Sequence, residues 1–130
     1  MSYAVRGKRR TFYVLFLREE TGDPFDPTNP VIEIFHYDDL DGATGTNKIV
    51  DVPATALISD PEVGHFHFVW AVPYTKPLRQ VHYALSTGDD PITGRTGHCE
   101  EIFSIIDDTD PSSTPSPCGG GGMTCSFVKN

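Results

Sequence analysis

Positive charge is scarce in this chain. Its 130 residues hold 10 Lys and Arg against 18 Asp and Glu, a formal net charge of −8. Such a surface repels phosphate backbones, which argues against general nucleic-acid binding. Long apolar runs are also missing. The longest, Phe12 to Leu17, is six residues, whereas a membrane-spanning helix needs about 20. "KRR" before "TFYVLFL" imitates the start of a signal peptide, but "REE" follows at once and no small-residue cleavage site comes after it. The expectation is a protein made in a cytoplasm and not secreted by a signal peptide. Helical periodicity is absent as well. No stretch sustains apolar residues at i, i+3 and i+4. No Gly-x-Ser-x-Gly elbow occurs, and Gly119–Gly122 lacks the Lys-Ser/Thr of a phosphate loop.

What is present is Gly and Pro at short intervals, separating runs rich in Val, Ile, Phe, Tyr and Thr. That pattern predicts strands. They are expected over Arg10–Arg18, Val31–Tyr37, Lys48–Val52, Ala54–Ser59, Gly64–Val72, Leu78–Thr87 and Cys99–Ile106, with Pro53 marking an edge or bulge. Arg10–Arg18 is apolar on both faces and reads as a central or covered strand. About seven strands in fewer than about 100 residues imply an all-β fold, an antiparallel two-sheet sandwich, with a small barrel as the rival. Residues 1–9 read as an N-terminal arm and 10–107 as the sandwich. Residues 108–130 read as a Pro/Ser/Gly-rich, Cys-containing tail, whose "MTCSFVKN" is able to return as a short added strand.

"GHFHFVWAVPY" poses the sharpest chemical question. Side chains alternate along a strand. Phe66, Phe68, Trp70 and Val72 therefore face the core, and His65, His67, Val69 and Ala71 face away. Two histidines on one face do not make a metal site, since even a catalytic zinc takes three protein ligands. His36 and His82 are candidates for a third, but nothing in the sequence places them beside this strand. The expectation is a polar outer face and no metal.

Asp38, Asp39 and Asp41 before Gly42 read as turn chemistry rather than a calcium loop. Glu100 and Glu101 fall on opposite faces, which argues against a paired-carboxylate site. The basic group Arg6, Lys8, Arg9 and Arg10 reads as a solvated chain end. Cys99, Cys118 and Cys125 are the candidate disulfide or inter-subunit residues, with free thiols, a disulfide and metal ligation all open at this point. No catalytic or cofactor-binding residue is assigned, so the chain reads as a non-enzyme.

"TGDPFDPTNPVIEIFHYD", "VGHFHFVWAVP", "LRQVHYALSTGDD" and "CEEIFSII" together resemble immunoglobulin-like β-sandwich proteins of tailed bacteriophage virions. The resemblance covers about Arg10 to Ile106. It implies a non-enzymatic structural part of the particle (neck, collar, head–tail or surface decoration). Such a part contacts copies of itself and neighbouring virion proteins, with no nucleic acid and no membrane. Fold likeness does not fix function. The alternative is a sandwich that binds carbohydrate, with Phe25, Tyr37 and Tyr74 as stacking platforms.

Overall fold

The computed structural model describes residues 2–18, 21–39 and 45–107, and the backbone of 123–127. It is all-β, with nine strands and no helix among the described residues. In chain order they are β1 (Ser2–Val5), β2 (Arg9–Arg18), β3 (Thr28–Tyr37), β4 (Lys48–Ala56), β5 (Ile58–Ser59), β6 (His65–Ala71), β7 (Val81–Asp89), β8 (Thr96–Ile106) and β9 (Met123–Phe127). One sheet runs β1-β8-β7-β3-β4 and the other β5-β6-β2-β9. Hairpins join β3 to β4, β5 to β6 and β7 to β8, while the chain changes sheet after β1, β2, β4, β6 and β8. This is the alternation of a two-sheet β-sandwich.

The core lies between the sheets. Phe12, Val14 and Phe16 of β2, with Phe66 and Trp70 of β6, meet Ile32 and Ile34 of β3, Ala84 of β7, and Phe103 and Ile105 of β8. Phe12 stands 5.3 Å from Phe103 and Trp70 stands 5.9 Å from it, both as tilted or edge contacts between ring centroids. The expected face of β6 is observed: Phe66, Trp70 and Val72 are buried, Phe68 packs partly against the core, and Val69 and Ala71 are exposed. β2 is central, between β6 and β9.

The strand boundaries differ from expectation in ways that have physical reasons. The stretch read as an arm contains β1, which pairs in parallel with β8 and buries Ala4. Four residues are too few to show a period. β9 also pairs in parallel, with β2, so the sandwich is not purely antiparallel. β4 runs through Pro53 because it is an edge strand, where a missing N–H costs nothing. Ala54–Ser59 is not one strand. The chain leaves the first sheet at Leu57, whose buried side chain joins the core and whose N–H donates to the Pro30 carbonyl, and it enters the second sheet as β5. β7 starts later than expected, after a turn in which Arg79 takes a left-handed backbone, φ 68°.

Two glycines are dictated by packing. Gly64 has φ +81°, and a Cβ there would lie 2.9 Å from the Phe16 carbonyl oxygen. On β7, a Cβ on Gly88 would lie 2.9 Å from Pro27 and 3.0 Å from the Phe16 ring.

Candidate functional site

Two features stand out. The first is a buried polar cluster between the sheets. His36 of β3 and His82 of β7 are register partners, so their side chains lie side by side on the inner face. Their rings are 4.8 Å apart. Asp51 joins them from β4 through a bulge. Ile34 pairs with Val52 and Phe35 with Val50, which leaves Asp51 as the extra residue. Bulges re-aim side chains in this way. Asp51 Oδ2 accepts a 2.7 Å hydrogen bond from His36 Nδ1. Lys76, from the loop between β6 and β7, donates to Asp51 Oδ1. His82 Nε2 stands 3.3 Å from Asp51 Oδ2. That is ion-pair distance, yet Nε2 makes no well-formed hydrogen bond, although His82 is fully buried. Its other nitrogen, Nδ1, is 3.3 Å from the Gln80 carbonyl. Trp70 and Phe103 wall the imidazole at 5.8 and 5.5 Å.

Burial by itself pushes the Asp51 carboxyl up. His82, Lys76 and His36 around it outweigh burial and hold it well below the ordinary carboxylate range. The ligand atoms of His36, Asp51 and His82 all lie within 4.8 Å of one another. Sequence reasoning named both histidines but did not pair them, and it missed Asp51 and Lys76. The available signal was Asp51 two residues before Pro53 on an edge, a context that favours a bulge.

The second feature is the outer face of the five-stranded sheet. By register, Val50, Phe35, Tyr83 and Ile102 form one row across β4, β3, β7 and β8. Tyr37 flanks the row, together with Val81 and Leu85 of β7. Phe35 stacks on Tyr83 at 5.4 Å and meets Tyr37 edge-on at 5.9 Å, with the Lys48 ammonium 4.4 Å above its ring. Phe35 is thereby buried outside the main core, while Val50 and Ile102 are 46% and 49% exposed. β7 explains the pattern. Its inner residues are His82, Ala84, Ser86 and Gly88, polar or small, and its outer ones include Val81, Tyr83 and Leu85. The usual alternation is reversed.

The remaining candidate residues resolve separately. His65 pairs with Glu62 at 3.3 Å and His67 with Asp60 at 2.6 Å, on the outer face and apart from His36 and His82. Asp38 accepts from the Thr46 N–H at 2.9 Å and the Asn47 amide at 2.8 Å, which is turn chemistry. Asp41 and Gly42 lie outside the described residues. Glu101 points inward to Arg10, and Glu100 is exposed. Burial raises the Glu101 carboxyl, and Arg10 opposes that shift.

The basic group is not simply a solvated end. Arg6 pairs with Asp107 at 2.9 Å, and Arg10 lies over Phe12 and Phe103. These arginines fasten the strand ends. Phe25 is not a sugar platform: it is buried, with Arg18 4.3 Å over its ring. Tyr74 is exposed. Cys99, on the inner side of β8, is disulfide-bonded. Its partner is not among the described side chains. Cys118 falls outside the described residues, and for Cys125 only the backbone, in β9, is described.

No family model, no curated protein and no solved structure matches this chain.

Proposed function

We propose that this chain is a non-enzymatic structural protein that self-associates through the outer face of its five-stranded sheet. The observation that carries the reading is the reversed alternation of β7, which sends Val81, Tyr83 and Leu85 outward while His82, Ala84 and Ser86 fill the core side. A sheet face free of partners is ordinarily polar, and a contiguous apolar face marks a contact surface.

The occupant is a second copy. Four long strands present roughly 600 Å² in projection, near the about 800 Å² that each partner gives a stable interface. The rims carry both signs, Lys48 on the β4 side and Glu100 on the β8 side. A two-fold axis parallel to the strands sets these sides over one another, a self-complementary contact. The resemblance to immunoglobulin-like phage proteins supports a virion as the assembly, in its neck, collar, head–tail junction or surface layer.

The test is the solution mass by light scattering after size separation. The wild type should run as a dimer or larger, and Ile102→Lys as a folded monomer that still melts cooperatively, with a midpoint that no longer depends on protein concentration. A wild-type monomer at high micromolar concentration, or an Ile102→Lys multimer, would remove the sheet face as the contact.

A further inference from the structure

We infer that His36, Asp51 and His82 form a binding site for a divalent transition metal that accepts nitrogen and oxygen ligands, zinc being the natural occupant. This inference is independent of the sheet-face reading, since the cluster lies on the opposite side of the same sheet.

The argument starts at His82. It is fully buried, and its Nε2 has no hydrogen bond. Its Nδ1 faces the Gln80 carbonyl at 3.3 Å. A carbonyl only accepts, so Nδ1 carries the proton. In the neutral ring, Nε2 then points a lone pair into the cluster. Metal-binding histidines are characteristically held this way, one nitrogen donating to a carbonyl and the other left free for the ion. What Nε2 faces is Asp51 Oδ2, another acceptor, 3.3 Å away. Between two such atoms lies either a proton or a metal ion, and the three ligand atoms gathered within 4.8 Å of one another offer a place for the ion. Metal bonds of about 2.0–2.1 Å set neighbouring tetrahedral ligands about 3.3 Å apart, which is the His82–Asp51 separation; the full set lies within 4.8 Å and must adjust around the ion. His36 Nδ1 is 2.7 Å from the same oxygen. It joins as third ligand by moving its proton to Nε2, with no net proton change.

Two histidines and one carboxylate suit zinc and the neighbouring transition metals rather than calcium or magnesium, which prefer oxygen. Lys76 is the competitor. Its ammonium holds Asp51 Oδ1 and makes the pair neutral. It belongs to a rim loop, and its side chain keeps 14% exposure. Metal entry requires the flexible lysine to release Asp51 and turn to solvent, which opens a fourth position for water. The lysine thus sets the affinity, by charge repulsion and by occupying the carboxylate.

The experiment titrates Co²⁺ into the wild-type protein and into Lys76→Met, followed by Zn²⁺. The expected result is about one equivalent of Co²⁺ with visible d–d absorption, no thiolate charge-transfer band, and bleaching by Zn²⁺. Lys76→Met should bind about tenfold more tightly or better, because it removes a competing cation. A gain of affinity is not something an unfolded variant delivers. No d–d absorption in either protein at millimolar Co²⁺ would overturn the inference. So would a thiolate band, which assigns the ion to cysteine, or equal affinity in the two proteins.

Discussion

Gly88 of β7 packs directly against Pro27 and against the Phe16 ring of the second sheet. A methyl group there meets Pro27 and the Phe16 ring at about van der Waals overlap. Gly88→Ala should therefore lose about 1–3 kcal/mol of stability by overpacking, read from the denaturant midpoint. A loss within error would show that Phe16 has room to move. Two residues on, Asp90 closes the β7–β8 hairpin. Its carboxylate accepts from the Ile92 N–H at 2.8 Å and from Arg18 at 2.5 Å, the latter an inter-sheet contact. Burial pushes this carboxyl up, but those partners outweigh it and hold it below the ordinary range. Because the folded value is the lower one, Asp90 stabilises the fold above its ordinary pKa of about 4. That contribution fades as pH falls through the lowered value. Asp90→Asn should be less stable than wild type at pH 6 and converge with it in strong acid. A constant difference across that range would assign the effect to packing instead.

At the scale of elements, β7 shows why part of this molecule could be read in advance and part could not. The inward face of β6 was legible, because Phe66, Trp70 and Val72 alternate with His65, His67 and Ala71 in a glycine-started strand; for β2 only the central position was legible, since Tyr13, Leu15 and Leu17 make its other side apolar too. β7 misleads periodicity. Its more apolar side faces out, since the opposite sheet supplies the large rings and leaves room only for Ala84, Ser86 and Gly88. The polar cluster was illegible for a related reason. It depends on a bulge that turns Asp51 inward and on the β3–β7 register that pairs His36 with His82. Pro53 hints at the bulge, but the direction in which it turns Asp51 and the register between β3 and β7 are not written in local composition. β8 adds a covalent element. Cys99→Ser should lower stability by about 2–4 kcal/mol under oxidising conditions. It should have little effect once reductant is present, as thermal melting with and without dithiothreitol would show. Equal melting under both conditions would mean that the bond adds nothing to stability.

The whole molecule places unlike chemistry on the two sides of one sheet. Inside are the histidines, Asp51 and Lys76, beside the aromatic core. Outside is the Val50–Phe35–Tyr83–Ile102 row, bordered by charges of both signs. The fold class was legible from turns and β-rich runs, whereas the use of its faces appears only once strands are in register. The central claim is that the outer face of the five-stranded sheet is the surface on which copies meet. Its most direct test is a dilution series followed by amide NMR. The account predicts that resonances of β3, β7 and β8 shift with concentration, led by Phe35, Tyr83 and Ile102, while those of β2 and β6 stay fixed. Spectra that do not change with concentration, or shifts confined to the β5-β6-β2-β9 sheet, would contradict it.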